Sequence, residues 1–468
     1  MESHEFLDSA FAMIKDYVLD NKGKVNEHLD SSSRSRTTDT LLPLEGFSQE
    51  MLLEDVSSYL QNTVKTHKGG FMNPLWGGFN VASFAGEVIA AATNTSMYTY
   101  ELAPVATMIE KAILKRMREY VGFESGFGTF TTGGSNGNML GVLCGRQRAF
   151  PNSTYSGIDG TKLAIFVSQE SHYSVLMSAN VIGIGHGNVI KVKCDEDGVM
   201  IPESLDIEIK SAISNGLTPI CVIATAGTTV RGAFDPLKEI GEICEKVGVW
   251  YHVDAAWGGA CLFSAKHRSL MDGVEYADSV CWDAHKMMGV PLICSAFIIK
   301  HPEILRAVSS HGDSAHYLFH DDAEEIDLGR FSLQCGRRND ALKLWFAWRM
   351  MGDSGWSSLV ENYMDLASHL ERLIEQSDKL EMMSSRQWTN VCFRYNDKSI
   401  ENLNQFNSEL RTRLIENGNY MISKSNIGNE VILRPVIANP AVGKSTLEGL
   451  VEEILQIAHE MKSGIPHS

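Results

Sequence analysis

Lys286, in the segment CWDAHKMMG, is the residue of this chain whose type and context point most directly to chemistry. It follows an apolar run and precedes Met-Met-Gly. Removal from water lowers the pKa of a lysine ammonium, and the neutral amine that results is a nucleophile. A lysine that lays its stem along apolar surface and keeps its charge in water would show the same pattern. The segment predicts a nucleophilic amine, with an ordinary surface lysine as the alternative.

A carboxylate ends the apolar run in HVDAAWGG, at Asp254. An acid at a buried strand end needs a partner, because burying a bare charge is costly. A protonated pyridine nitrogen would be such a partner, and the small Ala255 and Ala256 leave room for a flat ring. An acid that only closes a strand or caps a turn would fit this segment equally well.

The glycine-rich segment GGSNGN, Gly133–Asn138, follows a short apolar run and opens the helical stretch MLGVLCGRQRAF. Glycine lets the backbone approach an anion closely, and the first N–H groups of a helix have no acceptor within it. The spacing is neither GxGxxG nor that of a P-loop, which argues against a dinucleotide or nucleoside triphosphate. The segment predicts an anion cradle, and a plain strand-to-helix turn is the alternative.

Together, in chain order, the three segments supply an anion cradle, an acid for a ring nitrogen and an amine for a Schiff base. Pyridoxal phosphate requires this set of groups from the protein that binds it. The combination therefore predicts a pyridoxal-phosphate site, which none of the segments predicts by itself.

The elements that must position these groups alternate between helices and short apolar runs. Strands are predicted for LAIFVS, VIKVKC, PICVIATA, VWYHVDAA and CSAFIIK, and helices such as Pro202–Ser214 and Pro236–Val247 lie between them. Continuously apolar runs are typical of a parallel sheet that is covered on both faces. We predict an α/β domain with its ligand at the carboxyl ends of the strands.

Three regions are predicted: an N-terminal helical segment (1–78), a large α/β domain (79–350) and a small C-terminal α/β domain (351–468). The first contains helical patterns over Phe6–Leu19 and Gln49–Thr66. Two helices alone cannot bury the apolar stripes that they carry, so we expect the segment to pack on another domain or subunit. The third contains the strand-like runs VCFRY and VILRPVI.

Composition excludes several classes of function. The chain has 468 residues, with 41 basic and 58 acidic side chains and a formal net charge of −17. This charge repels polyanions, so we expect no nucleic-acid partner. No apolar stretch has the length of a membrane span, and the N-terminus lacks the pattern of a signal peptide. Nine scattered cysteines without a CxxC pair indicate free thiols in a reducing cytoplasm.

The chain resembles the group II pyridoxal-phosphate-dependent decarboxylases, in their glutamate decarboxylase and cysteine-sulfinate decarboxylase branch. The resemblance extends from about His67 to the C-terminal helix. It is carried by NTSMYTYELAP, SQESHYS, ATAGTTVRGAFDP, HVDAAWGG, HKMMGVP, LQCGRR and RPVIANPA. It implies fold type I, with a mostly parallel seven-stranded sheet in the large domain, and a homodimer whose active site lies at the subunit interface.

The resemblance also implies how the cofactor is held. His172 stacks on one face of the ring and Ala256 packs on the other. Asp254 keeps the ring nitrogen protonated, and Thr229 lies near the phenolic oxygen or the substrate carboxylate. The phosphate is held by Gly134, Ser135, Asn136 and His285. For the two histidines, a purely structural role is the alternative.

Tyr317, in HYLFHDD, matches the tyrosine of the family's mobile catalytic loop. After carbon dioxide leaves, the carbanion at Cα must be protonated, and a phenol is a suitable general acid. An aromatic that anchors a surface loop is the alternative. The flanking His311, His316 and His320 fit no metal-binding pattern, so we predict no metal site.

Substrate recognition is implied by resemblance at Arg434, which matches the arginine that binds the acidic end of the substrate. A structural ion pair is the alternative. Asn73, Trp76 and Tyr98 complete the implied substrate site. The indole of Trp76 would shorten the pocket, which favours aspartate or cysteine sulfinate over glutamate.

The chain departs from the family pattern at two places. Asp283-Ala284 stand where relatives have Asn-Pro before the His-Lys pair. The substrate loop reads Asn73-Pro74-Leu75-Trp76, and its spacing from His67 is one residue longer. These changes leave the cofactor groups intact and bear on the identity of the substrate.

The sequence thus predicts a lyase that releases carbon dioxide from glutamate, aspartate or cysteine sulfinate. The alternatives are a decarboxylase of aromatic or diamino acids, an oxygen-consuming relative, an aminotransferase, or a non-catalytic protein of the same fold. Tyr317 argues against the oxygen-consuming relative, and Lys286, Asp254 and His172 argue against a scaffold.

Overall fold

The computed structural model describes residues 1–27, 40, 42–310, 315, 318, 319 and 327–464. These residues group into two compact units. The larger unit comprises Asn80–Met364 and Ser384–Thr389, and the smaller comprises Met1–Phe79, Asp365–Met383 and Asn390–Ser468. The N-terminal segment thus belongs to the same compact unit as the C-terminal region, and the division into three domains stays a prediction.

The strands and helices of the described residues follow in chain order. The strands are β1 (Phe71–Met72), β2 (Phe127–Thr131), β3 (Leu163–Ser168), β4 (Val189–Val192), β5 (Thr218–Thr225), β6 (Trp250–Asp254), β7 (Ser279–Asp283), β8 (Ser295–Ile299), β9 (Leu380–Met382), β10 (Phe393–Tyr395), β11 (Met421–Ile427) and β12 (Glu430–Arg434). The helices are α1 (Ser3–Leu19), α2 (Gln49–Asn62), α3 (Val81–Thr93), α4 (Pro104–Val121), α5 (Gly134–Ala149), α6 (Ser153–Ser156), α7 (Ser174–Val181), α8 (Pro202–Ser214), α9 (Leu237–Val247), α10 (Pro302–Val308), α11 (Asp340–Glu375), α12 (Leu403–Asn417) and α13 (Lys444–Lys462).

A seven-stranded sheet in the order β2-β8-β7-β6-β5-β3-β4 forms the centre of the larger unit. Neighbours from β4 to β7 are parallel, and β8 is antiparallel to both β7 and β2. Every residue of β3, β6, β7 and β8 is buried, as expected of strands that are covered on both faces. The predicted mostly parallel sheet is confirmed.

The direction of β8 differs from the prediction, which counted CSAFIIK among the parallel runs. The connection from β7 to β8 contains no crossover helix. A parallel pair needs such a crossover, whereas a short connection returns the chain antiparallel to the strand before it. An apolar run alone does not carry this information, because a buried strand looks the same in either direction.

Helix α5 packs unusually close to the sheet because one of its faces is made of glycine. At Gly137, Gly141 and Gly145 an added Cβ would lie 2.5 or 2.6 Å from atoms of the neighbouring strands. Real Cβ atoms do not approach other atoms so closely, so only glycine fits. The stripe fixes the helix, and with it the glycine-rich turn at its N-terminus, against β5, β6 and β7.

The smaller unit contains a five-stranded sheet in the order β1-β11-β12-β10-β9. Strand β1 pairs with β11 in parallel, and the other pairs are antiparallel. Helices α12 and α13 pack on each other, and α12 also packs on β11 and β12. No helix in the described part of the chain is both long enough and apolar enough to cross a membrane.

Helices α1 and α2 contact each other and contain no fully buried residue. Apolar side chains remain exposed on both, among them Leu7 and Phe11 on α1 and Leu52 and Tyr59 on α2. Helix α2 begins as predicted, where the Ser48 hydroxyl accepts the N–H of Met51. The packing of this segment against a second subunit stays a prediction.

Candidate active site

The carboxyl ends of the central strands open into a cavity of about 280 Å³. Strand β6 ends there at Asp254 and β7 at Asp283, and Lys286 follows three residues later. Parallel strands bring their carboxyl ends to one edge of the sheet, which explains why these segments meet. The cavity brings together the predicted Gly134, Ser135, His172, Thr229, Asp254, Ala256, His285 and Lys286.

Asp254 is buried and both of its carboxylate oxygens accept hydrogen bonds. The side-chain amide of Asn138 donates to Oδ2 at 2.8 Å, and the N–H of Ala256 donates to Oδ1 at 3.1 Å. Bonds from donors stabilise the charged form of a carboxyl group. The geometry therefore presents an anion at the end of β6.

A buried chain of hydrogen bonds extends behind Asp254. Asn138 Oδ1 lies 3.1 Å from His252 Nε2, and His252 Nδ1 lies 2.9 Å from Ser279 Oγ. Trp250 Nε1 donates to the same hydroxyl at 3.0 Å. Burial lowers the pKa of His252 to about 4, although Asp254 acts to raise it, so the ring is neutral.

Only one placement of protons satisfies this chain. Because the Asn138 nitrogen donates to Asp254, its oxygen faces His252, and His252 must donate from Nε2. The Ser279 hydroxyl accepts from Trp250 and donates to His252 Nδ1. The network thus fixes the orientation of the amide that donates to Asp254.

Lys286 lies beside a second buried acid. Its Nζ is 3.2 Å from Asp283 Oδ2, and the Asp283 side chain is only 1% exposed. Burial acts to lower the pKa of Lys286, but Asp283 and then Asp254 outweigh it, and the pKa lies above its ordinary value. The sequence-based expectation of a lowered pKa was wrong for the cofactor-free protein, because it considered the apolar neighbours and not the two acids.

Both predicted histidines, His172 and His285, precede this lysine in the chain and line the same cavity. Burial lowers the pKa of His172, although Asp254 acts to raise it, and Nδ1 of the ring accepts the N–H of Ser174 at 3.3 Å. Burial also lowers the pKa of His285, whose Nδ1 lies 2.9 Å from the Cys294 carbonyl oxygen. Both rings are therefore available as neutral groups at the cavity.

The glycine-rich turn forms the rim of the cavity at the N-terminus of α5. Gly133 has a φ of 127°, which side-chain-bearing residues rarely adopt, and a Cβ on Gly134 would lie 2.7 Å from Asp283 Oδ2. Ser135 lines the cavity, whereas the N–H of Asn136 donates to the Gly133 carbonyl at 3.0 Å. Of Ser135 and Asn136, both predicted to hold the phosphate, only Ser135 lines the cavity, and the backbone N–H of Asn136 is used within the turn.

The loop after β5 carries Thr229 to the cavity. The N–H groups of Gly227 and Thr228 both donate to the carbonyl of Ala233, which closes the loop. Gly227 has a φ of 84°, and a Cβ there would lie 3.0 Å from the N–H of Gly258. The glycine in ATAGTT is thus required by the turn and by the close approach of a second backbone.

Asp235 anchors the far end of the same loop. Its carboxylate accepts the N–H of Met200 at 2.8 Å and the N–H of Thr225 at 2.7 Å. Burial raises the pKa of Asp235 to about 7, against the effect of these two donors. The acid of the GAFDP motif therefore holds the loop rather than lining the cavity.

Asn138 and Thr225 are among the cavity residues that sequence reasoning did not assign to the site. Asn138 is the last residue of the GGSNGN segment, four positions after Gly134 and so on the same face of α5. Thr225 ends β5, and its hydroxyl is buried at the cavity without a hydrogen-bond partner among the described residues. Two signals in the sequence could have identified them. Asn138 lies one helical turn into α5, and Thr225 lies at the end of a strand.

The pyridoxal-dependent decarboxylase conserved domain matches residues 33–396 of the chain. The chain belongs to this family. The cysteine sulfinic acid decarboxylase of Mus musculus is 36% identical over 453 residues, which cover 94% of this chain and 92% of the mouse protein. The crystal structure of mouse CSAD matches with a TM-score of 0.93 and 35% identity, covering 97% of this chain and 98% of that chain.

A more distant match shows the fold alone. It is the crystal structure of the glutamate decarboxylase domain of the diaminobutyrate-pyruvate transaminase and L-2,4-diaminobutyrate decarboxylase from Vibrio parahaemolyticus. Its TM-score is 0.86 at 24% identity, and it covers 98% of this chain and 95% of that chain. As a member of the pyridoxal-dependent decarboxylase family, the protein is a carboxy-lyase that uses pyridoxal phosphate.

The residues of the cavity fit this cofactor. Pyridoxal phosphate supplies an aldehyde carbon for a lysine amine and a protonated ring that takes up the electrons of a bond broken at Cα. The cradle at Gly133–Ser135 suits the phosphate, the anionic Asp254 suits the ring nitrogen, and the buried hydroxyl of Thr225 has bonding capacity left for a ligand. Among the described residues that line the cavity, Lys286 is the one lysine.

Several predicted residues of this decarboxylase are not among those that line the cavity. Tyr98 belongs to the larger unit, and its carbonyl accepts the N–H of Gly329 at 2.9 Å. Asn73, Trp76 and Arg434 belong to the smaller unit. Tyr317 lies outside the described residues, as do His311, His316 and His320.

Within the smaller unit, two of the predicted substrate residues are joined through Ser423. Arg434 Nη2 donates to the Ser423 hydroxyl at 3.1 Å, and that hydroxyl donates to Asn73 Oδ1 at 2.8 Å. The Trp76 ring lies 5.5 Å from the Phe71 ring. The ends of β1 and β12 thus place the loop and the arginine on one sheet.

Proposed function

We propose that this carboxy-lyase acts on an acidic L-amino acid (glutamate, aspartate or cysteine sulfinate) and releases carbon dioxide and the corresponding amine. The observation that carries the proposal is Arg434, a guanidinium that is only 6% exposed at the end of β12. Burial lowers the pKa of Arg434. An anionic group stabilises the charge of a buried guanidinium and can accept two parallel hydrogen bonds from it.

In the proposed reaction Lys286 holds the cofactor and later releases the product. His172 and Ala256 would pack on the two faces of the cofactor ring. Asp254 keeps the ring nitrogen protonated, and the amide of Asn138 keeps Asp254 in place. Thr229 orients the substrate carboxylate or the phenolic oxygen, while Gly134, Ser135, Asn136 and His285 hold the phosphate.

Tyr317 is the proposed general acid. It would deliver a proton to Cα after the carboxylate has left, which determines that the product is an amine. The Tyr317→Phe variant should therefore slow amine formation and divert substrate to by-products such as those of oxidative deamination. An unchanged amine yield would remove Tyr317 from this role.

Substrate choice is assigned to the smaller unit and Tyr98. The Ser423 hydroxyl donates to Asn73 and accepts from Arg434, so a change in the loop that contains Asn73 should alter the position of the arginine. The indole of Trp76 would shorten the pocket and favour the shorter acids, aspartate or cysteine sulfinate. The mouse relative is named for cysteine sulfinic acid, which agrees with this order.

Two further parts of the proposal concern assembly and location. The exposed apolar side chains of α1 and α2 support a homodimer in which this segment packs on the partner and the active site lies at the interface. All nine cysteines are free thiols and seven of them are buried, which supports a reducing cytoplasm.

The deciding experiment measures carbon dioxide release from glutamate, aspartate, cysteine sulfinate, tryptophan and 2,4-diaminobutyrate. We expect turnover of the acids, and loss of that turnover in Arg434→Ala. Arg394 on the neighbouring strand β10 is already paired with Glu381 and Glu430, so Arg394→Ala is the matched control and should leave specificity unchanged.

Preference among the acids is tested with Trp76→Ser. One methylene is worth about 1–3 kcal/mol of discrimination, so the ratio of kcat/KM values should shift roughly 10- to 200-fold toward glutamate. Efficient turnover of aromatic or diamino acids by the wild type would overturn the acidic-substrate proposal. A wild type that prefers glutamate and does not respond to Trp76→Ser would remove Trp76 from the pocket.

A further inference from the structure

Asp283 is a buried acid in the cavity to which the reaction described above assigns no role. Its side chain is 1% exposed and lies at the end of β7, 3.2 Å from Lys286 Nζ and 3.6 Å from His285 Nε2. A buried carboxylate needs a charged or hydrogen-bonding partner. In the cofactor-free protein, the Lys286 ammonium is the nearest cation to it.

The other groups that face Lys286 do not compete for this pairing. His172 and His285 are neutral because burial lowers the pKa of each, and burial raises the pKa of the Cys281 thiol well above its ordinary value. Asp254 already accepts from Asn138 and Ala256. Asp283 is therefore the direct anionic partner of the lysine.

Capture of pyridoxal phosphate requires the opposite state of Lys286. The ammonium must first lose a proton to solvent. The neutral amine would then form a bond to the aldehyde carbon, and the aldehyde oxygen would leave as water with the two protons of the amine nitrogen. An anion 3.2 Å away favours the ammonium and so opposes the first of these steps.

We propose that Asp283 is a positioning residue that holds Lys286 as an ammonium in the cofactor-free protein and so sets the pH at which the lysine captures pyridoxal phosphate. The inference rests on the assignment of Lys286 as the cofactor lysine. It goes beyond that assignment, because it gives the chain a residue that controls loading of the cofactor rather than turnover.

The charge on Lys286 can be measured without the cofactor. Competitive labelling of the cofactor-free protein with acetic anhydride over a range of pH, read by mass spectrometry of the Lys286 peptide, gives the pKa of this amine. In Asp283→Asn the midpoint should fall by about 1–3 pH units, the effect of a carboxylate at this distance. A midpoint that stays in place or rises overturns the proposal.

The same strand offers a matched control. Asp278 lies directly before β7, at the opposite edge of the sheet, where it pairs with Arg148 at 2.8 Å. Asp278→Asn removes one negative charge next to the start of the same strand and should leave the Lys286 midpoint unchanged. An equal shift in both variants would show a general effect of net charge and would count against Asp283.

A second measurement follows cofactor capture itself. Cofactor-free protein is mixed with pyridoxal phosphate at several pH values, reduced with borohydride, and the modified Lys286 peptide is quantified. Capture by Asp283→Asn should exceed that of the wild type at neutral pH by about tenfold or more, since one pKa unit is a factor of ten in free amine. Equal rates at every pH would overturn the proposal.

The two measurements separate this inference from the assignment on which it rests. If neither the wild type nor Asp283→Asn carries cofactor on Lys286, the cofactor assignment fails. The labelling midpoints would still test the pairing of Lys286 with Asp283. Asparagine has the shape of aspartate, and a thermal unfolding curve checks that the variant is folded. Asp283→Ser removes the charge in a second way and must move the midpoint in the same direction.

Discussion

The two edges of the central sheet carry similar side chains in different environments. At the carboxyl edge, Asp254, Asp283 and Lys286 line a cavity of about 280 Å³. At the amino edge, a larger cavity of about 400 Å³ is lined by a comparable set that includes Asp278 and Lys300.

The difference lies in how the charges are satisfied. At the amino edge Asp278 lies within ion-pairing distance of Arg148 and of His301, and both of these side chains are more than a third exposed. At the carboxyl edge the acids are buried and held by amides and one lysine. The comparison teaches that burial and fixed orientation, rather than cavity size, distinguish a reactive site from a polar surface cleft.

The largest effect is expected from removing the lysine of each edge. Lys286→Ala should abolish turnover and the covalent attachment of the cofactor, because the part of the chain that the structure describes brings no other lysine to the cavity. Lys300→Ala at the amino edge removes a bond to the Glu275 carbonyl and should leave turnover intact. Borohydride reduction followed by mass spectrometry measures attachment, and cofactor fixed to the chain in Lys286→Ala would contradict the assignment.

Exchanging an acid at each edge should separate catalysis from folding. Asp254→Asn removes the anion that stabilises a protonated ring nitrogen. The variant should therefore lose most of its activity while its free energy of unfolding changes little. Asp278→Asn removes the ion pair with Arg148, whose side chain is 44% exposed, and should cost about 1 kcal/mol of stability and little activity. Steady-state rates and urea unfolding of both variants provide the measurement. Near-native turnover of Asp254→Asn would make this acid merely structural.

The loop that leads from β5 should respond to pH through Asp235. The folded protein holds this proton up to a pKa of about 7, whereas an ordinary aspartate releases it near 3.8. The folded state therefore binds more protons between these values, and the stability that Asp235 contributes falls as pH rises through that window. Urea unfolding of the wild type and Asp235→Asn at several pH values should show a flatter pH dependence in the variant. Parallel curves would contradict the raised pKa.

The smallest effect is expected from the network behind Asp254. His252→Phe leaves the Asn138 oxygen buried without its donor, which costs about 1–3 kcal/mol. The same change at the exposed His301 of the amino edge should cost much less. If the network positions Asp254, His252→Phe should also change the pH dependence of the bound cofactor's visible absorption. A stability loss without a spectral change would reduce His252 to a packing role.

The main groups of the site could be predicted from the sequence because each lies at the end of a buried apolar run. Asp254, Lys286 and the GGSNGN turn are local patterns, and a parallel sheet brings such ends together. The seven-stranded sheet of the larger unit followed from the same runs and the family resemblance.

The remaining features depend on distant pairings that a local pattern does not contain. His252 meets Asn138 across 114 residues of sequence, so the proton order of the network could not be predicted. The raised pKa of Lys286 depends on where Asp283 and Asp254 lie in space. The antiparallel direction of β8 depends on the connection that precedes it, whereas an apolar run reads the same in both directions.

The position of β8 between β7 and β2 has a consequence for the order of events during synthesis. Strand β2 leads into the cradle and joins the sheet through β8, where Thr131 pairs with Ser295, 164 residues later in the chain. A chain that emerges from the ribosome at about 5–20 residues per second makes the cradle strand many seconds before its neighbour exists. The glycine-rich turn can therefore be held in the complete sheet only after β8 has been synthesised. Cofactor binding is thus expected late in the synthesis of the chain or after it.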